Sequence, residues 1–329
     1  MTRRGAILLC SWLALPAAPS FAADAGTVSG MFLRLPPSAA GAGMGDAGVA
    51  VVAGSPAIFT NPAGLAGVKG GYASFSHSAW ADSLAYNAVS AAVKTRQAGV
   101  FGVGLRYLSY GDMNSFDNTG AAAGSISPRD LSAEAAWATD LDWNRSLGFS
   151  CRYISSRIER TATAFAVDLG YMQRAGRTFF GAALQNSGGG LKYGDEAYPL
   201  PLGLKLGVGV PFGRSLLAAF DLNLVRGAAA WAAAGAKYTM PVADGMAMSL
   251  RAGYNTASAD TGGVNGFAAG FGLAGSSMAL DYSLRTMGEL GVTHHLGLSF
   301  KWDMPGLKVV NVEEYPPARK PPARPFPFK

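Results

Sequence analysis

From residue 70 onward the chain alternates in polarity with a period of two, and one of the two faces is almost unbroken hydrocarbon. In Met278-Ala-Leu-Asp-Tyr-Ser-Leu-Arg285 one face is Met278, Leu280, Tyr282 and Leu284, and the other is Ala279, Asp281, Ser283 and Arg285. Successive side chains of a strand point to opposite faces, so this pattern demands strands whose two sides meet different surroundings. The same reading gives strands near 70–79, 86–93, 98–110, 129–139, 146–158, 161–174, 178–185, 200–210, 215–224, 230–238, 246–255, 266–274, 278–286 and 292–302, fourteen in all. Segments of about ten residues suit tilted strands that cross a bilayer.

Connection lengths test this reading. Bilayer-spanning barrels alternate short turns at one end with longer loops at the other. The three longest gaps, at 111–128, 186–199 and 256–265, all follow odd-numbered strands, whereas Lys94-Thr-Arg-Gln97, Ala175-Gly-Arg177 and Pro211-Phe-Gly-Arg214 are compact. The 44 glycines argue against a helix bundle, because each Gly in a helix interior costs about 1 kcal/mol relative to Ala. A soluble sandwich also alternates, but its outer face would carry far more than the 15% charged residues present here. The second face is instead Gly, Ala and Ser with single charges, Arg106, Arg152, Asp168, Lys205, Asp221, Arg251, Asp281 and Arg285. Mixed charges of that kind suit a narrow lumen crossed by ion pairs. The expected fold is all-β, a transmembrane antiparallel barrel of about fourteen strands over 70–302.

The ends of the chain differ from its body. Arg3 and Arg4, the apolar run from Ala6 to Leu15 and the small-residue site at Ser20-Phe-Ala22 read as a secretory signal peptide over 1–22. Cys10 leaves with it, so Cys151 is the one cysteine of the mature chain. The tail, 303–329, holds seven prolines with Arg319, Lys320 and Arg324 interleaved, and reads as an extended basic periplasmic segment. The excess of 27 Lys and Arg over 21 Asp and Glu gathers at these two ends, which removes any case for nucleic-acid binding. Just before the tail, His295-Leu-Gly-Leu-Ser-Phe-Lys-Trp302 resembles the terminal β-signal read by the barrel-assembly machinery, with Gly297, Phe300 and Trp302 as its marks.

Residues 23–69 are small and glycine-rich. Gly43 to Gly48 fits G-x-G-x-x-G, but no buried strand precedes it and no acid follows about 20 residues on, so a dinucleotide site is set aside. Ser55-Pro56 suits the start of a short helix. Three elements stand out: Phe32-Leu-x-Leu35, Gly43-Met44-Gly45-x-Ala47 and Asn61-Pro62-Ala63-Gly64-Leu65. On these residues the chain resembles the FadL-like outer-membrane superfamily, and more closely its PorV/PorQ branch. It departs from that pattern in having Ala53-Gly54 where an acidic pair often stands.

The resemblance implies that 23–69 form a plug folded inside the barrel, with Gly43, Gly45, Asn61, Pro62, Ala63 and Gly64 as its motif residues. It implies an outer-membrane location, in contact with membrane lipid and with the plug in the lumen. Two roles follow. In the PorV-like role the barrel serves protein export, binding secreted cargo domains at its outer rim and docking on a secretion channel, and the residues at Phe32–Gly45 favour this role. The alternative is a FadL-like transporter of long-chain fatty acids or other hydrophobic ligands, for which wall glycines such as Gly102, Gly104, Gly203, Gly207 and Gly209 would permit kinks. No catalytic constellation, metal cluster or cofactor motif is expected. His294 and His295 are adjacent in a strand and face opposite sides.

Overall fold

The computed structural model describes residues 27–80, 84–116, 119–257 and 264–303. Its strands are β1 (Gly71–Ala79), β2 (Ala85–Lys94), β3 (Val100–Ser109), β4 (Met113–Phe116), β5 (Ala122–Ile126), β6 (Arg129–Asp140), β7 (Arg145–Arg157), β8 (Thr161–Ala175) and β9 (Thr178–Gly188) in the first half. The second half holds β10 (Gly190–Tyr193), β11 (Glu196–Pro199), β12 (Gly203–Phe212), β13 (Leu216–Val225), β14 (Trp231–Ala243), β15 (Met246–Asn255), β16 (Asn265–Ala274), β17 (Met278–Met287) and β18 (Val292–Trp302). Fourteen of them close into one antiparallel barrel, in which β1 pairs with both β2 and β18 and the other neighbours follow chain order. The expected signal peptide and the proline-rich tail beyond Asp303 lie outside the described residues.

The remaining four strands form two hairpins, β4–β5 and β10–β11, inside segments expected to be plain loops. The second is readable from sequence: Gly194-Asp195 is a two-residue hairpin turn, and Gly194 takes the positive φ of 67° that such a turn requires. The barrel therefore has a loop end, bearing both hairpins, and a turn end with short connections.

Alternation sorts the wall into two faces. Phe75, Phe101, Val103, Phe165, Phe220, Phe271 and Leu296 point outward and are exposed, while their neighbours Ser76, Ser78, Ser132, Ser150, Asp221 and Ser283 are buried inside. This is the inverse of a soluble barrel and matches a lipid-facing belt. Large residues on both flanks of the belt include Trp137, Trp143 and Trp302 toward the turn end. Cys151 is exposed on the outward face of β7.

What fills the interior is the segment that precedes β1. It consists of short helical pieces, Met31–Arg34, α1 (Ala39–Ala42), Ser55–Phe59 and Pro62–Gly67, joined by tight turns. It begins at the loop end, where Ser29 N donates to Pro199 O at 2.9 Å. It finishes near the turn end, where Ser146 Oγ donates to Ala63 O at 3.2 Å. Phe32, Ile58, Phe59 and Leu65 pack with Tyr86, Leu108 and Ile154 of the wall in one buried cluster.

Candidate functional site: the lumen and its inner segment

The Asn-Pro-Ala element has a local explanation. Pro62 occupies the first position of the helical turn Pro62–Gly67, where a missing N–H costs nothing, and Asn61 caps that turn by accepting from Ala63 N at 3.2 Å. The Asn61 side chain is fully buried, and its Nδ2 donates to Val49 O at 2.8 Å and to Tyr171 O of β8 at 3.1 Å. One amide thus ties two parts of the inner segment to the wall. Ser55-Pro56 does open a helical turn, with Gly54 as the cap at φ 77°.

A second tie comes from Asp221 on β13. Its Oδ2 accepts from Gly48 N at 2.7 Å and Val49 N at 2.9 Å, filling the role that a helix-capping carboxylate would. Gly43 and Gly45 sit where the segment touches β15, β16 and β17: Gly45 adopts φ 64° against the backbone of Tyr254, and Gly43 lies against Gly270 and Ser283. Gly64 packs against Val52 and Ala57.

The wall glycines serve this contact. A Cβ on Gly253 would overlap Gly45 N, one on Gly235 would overlap Met44 O, and Gly148, Gly170 and Gly181 meet Pro62, Asn61 and Val49 in the same way. Of the glycines expected to permit kinks, Gly102 faces Leu65, Gly104 faces Phe59, Gly207 faces Val49 and Gly209 faces Val51. Their small size leaves room for the side chains and backbone of the inner segment, which is a packing role.

On the β3–β9 side the polar residues form a dense buried network. Arg106 binds Glu134 and also donates to Ser132 Oγ at 3.1 Å and Leu33 O at 3.0 Å. Arg152 reaches Glu134 Oε2 at 3.1 Å and Asp168 Oδ2 at 2.6 Å, and it also donates to Asn186 Oδ1. Asn186 in turn donates from its backbone to Asp168 Oδ1 at 2.7 Å. That bond forms where the β8–β9 register shifts, with Asn186 at φ 58°. All four charged side chains are at most 1% exposed, and two cations balance two anions.

The β12–β17 side holds comparable pairs in a wetter setting. Arg251 meets Asp281 at 2.8 Å, with 18% of the Asp281 side chain exposed. Arg285 meets Asp46 of the inner segment at 2.7 Å, with 28% of Asp46 exposed. Lys205 is half-buried and makes no ion pair within 4 Å among the described residues. Around these groups Gly207, Gly235, Lys237 and Gly253 are half-buried as well, so solvent reaches the interior on this side.

The loop end carries a cover. Leu191 of β10 and Leu200 are buried with Phe32 and Leu33, and the Tyr193 hydroxyl donates to Ser156 Oγ at 2.6 Å. Tyr110 donates to Asp130 Oδ2 at 2.8 Å, and burial together with that carboxylate holds its phenol well above the usual range, so it stays protonated. Arg34 stacks over Trp231 with its guanidinium 4.4 Å from the ring. In β18, Gly297 lies against Ala39, while Phe300 and Trp302 are exposed on the outward face. His295 is buried beside Ser78 Oγ at 2.6 Å, and His294 faces out and contacts the Tyr282 hydroxyl at 2.8 Å.

Sequence reasoning misses the roles of Glu134, Asn186, Asp46 and Asn255, the last of which donates from Nδ2 to Gly45 O at 3.0 Å. Glu134 is legible, since it falls on the small-residue face of Ser132-Ala-Glu-Ala-Ala136. Asn186 depends on a bulge that no alternation marks.

A closed fourteen-stranded barrel with apolar belt and polar lumen is the architecture of outer-membrane proteins of Gram-negative bacteria. Among solved structures, the fold is shared with the Pseudomonas putida toluene transporter TodX, at 11% identity and a TM-score of 0.56 over 81% of this chain and 99% of that one. The Ralstonia pickettii toluene transporter TbuX matches at 12% identity and 0.52, over 80% and 96% of the two chains. A Pseudomonas aeruginosa FadL homologue matches at 13% and 0.54, over 82% and 99%. No family model and no curated protein sequence matches the chain.

Proposed function

We propose that this protein is an outer-membrane transporter of hydrophobic small molecules, such as monoaromatic hydrocarbons or long-chain fatty acids, with residues 23–69 as its lumenal plug. In this reading the loop end faces outside, the turn end and the proline-rich tail face the periplasm, and β18 presents the signal read by the assembly machinery. The observation that carries the reading is the inner segment, held by a few directional bonds inside a barrel whose fold is that of toluene transporters. Fold alone does not assign a substrate. The support is the conjunction of that fold with a lumen filled from within yet solvent-accessible along β12–β17.

A plug of this kind must yield for a solute to pass. Of its bonds on the β12–β17 side, Arg285 to Asp46 is the one water can replace, since 28% of the Asp46 side chain is exposed, whereas Asp221 holds Gly48 and Val49 in a buried contact. The export role implied by the PorV/PorQ resemblance draws no support from the structural neighbours, which are transport channels. The test is uptake of radiolabelled toluene and of a long-chain fatty acid by cells with and without the protein. Faster uptake of either with the protein is expected; equal rates for both would overturn the reading.

A further inference from the structure

Arg129 and Arg157 stand directly opposite one another on β6 and β7, at the loop end of both strands. Both occupy outward positions and both are exposed, in register with the lipid-facing Leu131, Ala133 and Tyr153. Neither forms an ion pair among the described residues. Like charges directly opposite on paired strands destabilise the sheet, so this pair calls for an anion between them. The two border a polar cavity of about 430 Å³ that also presents Ser125, Ser127 and one acid, Glu159.

Along the same strands, four residues nearer the turn end and so about 14 Å away, the wall dips. A groove of about 600 Å³ opens on the outward face, where the small Ala133, Ala135 and Cys151 are flanked by Tyr153, Phe165 and Val167. The Tyr153 and Phe165 rings pack 5.3 Å apart and form one bank. The charged groups behind the groove, Glu134 and Arg152, are turned inward and bound to their own partners. The groove therefore offers mainly hydrocarbon contact, with Ser187 in its lining, and the cavity at its loop end offers the two guanidinium groups and the Ser125 hydroxyl, the Ser127 hydroxyl being bound to Asp112.

We propose that these two features form one site for a phosphate-bearing lipid of the outer leaflet, its head group held by Arg129 and Arg157 and an acyl chain lying in the groove. The Arg fork matches phosphate oxygens bidentately, and arginine stems lie along apolar surface while their heads reach the interface. The proposal rests on the reading that the loop end faces outside, and it concerns the outer wall, not the lumen.

Native mass spectrometry of the detergent-purified barrel, loaded with a bis-phosphorylated glucosamine lipid, tests it. Wild type retains the lipid on dilution; Arg129→Gln with Arg157→Gln weakens retention about tenfold for each arginine removed. Ala135→Phe, which fills the groove and leaves the arginines in place, weakens it as well. Inorganic phosphate at equal concentration does not displace the lipid, and a phosphate-free lipid with the same chains is not retained. Equal retention by wild type and the arginine variant overturns the proposal, as does displacement by inorganic phosphate, which would mark a soluble-anion site. Uptake of toluene or fatty acid by the arginine variant stays at the wild-type level, so failure of the transport reading and failure of this one separate.

Discussion

The two sides of the lumen use the same residue types to opposite effect. On β3, β6, β7 and β8, Arg106, Glu134, Arg152 and Asp168 are sealed from solvent and neutralise one another. On β15 and β17, Arg251 and Asp281 make a pair of similar length that water still reaches. Distance alone therefore says little about what an ion pair contributes. In the sealed side each charge depends wholly on its protein partners, because nothing else can solvate it. In the wetted side water can solvate the carboxylate, so it depends less on its partner. One half of the barrel is thus a fixed wall, and the other is where the proposed plug would move.

The largest effect that breaks this comparison is expected from Glu134→Gln. It leaves Arg106 and Arg152 without their shared carboxylate in a site closed to water, and should cost about 3–5 kcal/mol. Asp281→Asn removes an equally short contact at 18% exposure and should cost about 1 kcal/mol or less. Urea unfolding in lipid vesicles, read by the gel shift between folded and unfolded barrel, compares the two directly. Equal midpoints would show that the difference in water access has no energetic meaning.

Much of this arrangement is legible in the order of the residues. The period of two assigns all fourteen barrel strands because each wall face meets a uniform environment over about ten residues. The lumenal charges, from Arg106 to Arg285, can be picked out by parity alone. Their partners cannot, because pairing depends on strand neighbours and on the inner segment: Arg285 meets Asp46 across 239 residues, and Arg106 meets Leu33 O across 73. The glycines mislead for a related reason. A glycine in a strand looks the same whether it bends the strand or admits another backbone, and only the position of the inner segment decides. The sidedness of the lumen leaves no sequence mark either, since Lys205 and Arg152 occupy equivalent inward positions.

A smaller effect on stability, with a larger one on passage, is expected from Gly253→Leu. The new side chain would occupy the place of Met44 and Gly45, so the turn over 43–48 must leave the wall of β15. Overpacking of this kind costs about 1–3 kcal/mol. Because the displaced turn borders the wetted side, single-channel conductance in planar bilayers should rise above wild type. The matching substitution on the sealed side, Gly170→Leu, pushes on Asn61 and Pro62, and should destabilise the barrel without opening it. Conductance that rose equally in both variants would mean that the plug can yield on either side.

The smallest change in stability is expected from Lys205→Glu, which makes it the cleanest probe of what the wetted side does. Lys205 has no direct ion pair among the described residues, so reversing its charge breaks no bond, and the cost to stability, which comes from repulsion alone, should be about 1 kcal/mol or less. Yet the ammonium shares its part of the lumen with Asp46 and Asp221, the two carboxylates that tie the inner segment to that wall. A glutamate in its place puts three acids together around Gly48 and Val49. Their repulsion should loosen the plug and make whatever current passes more cation-selective, an effect that weakens as salt screens it. Reversal potentials measured across a salt gradient, in the Gly253→Leu background where current is expected, read this selectivity. An unchanged reversal potential would place the permeation path away from Lys205 and deprive the wetted side of its assigned role, even if its ion pairs prove as weak as expected.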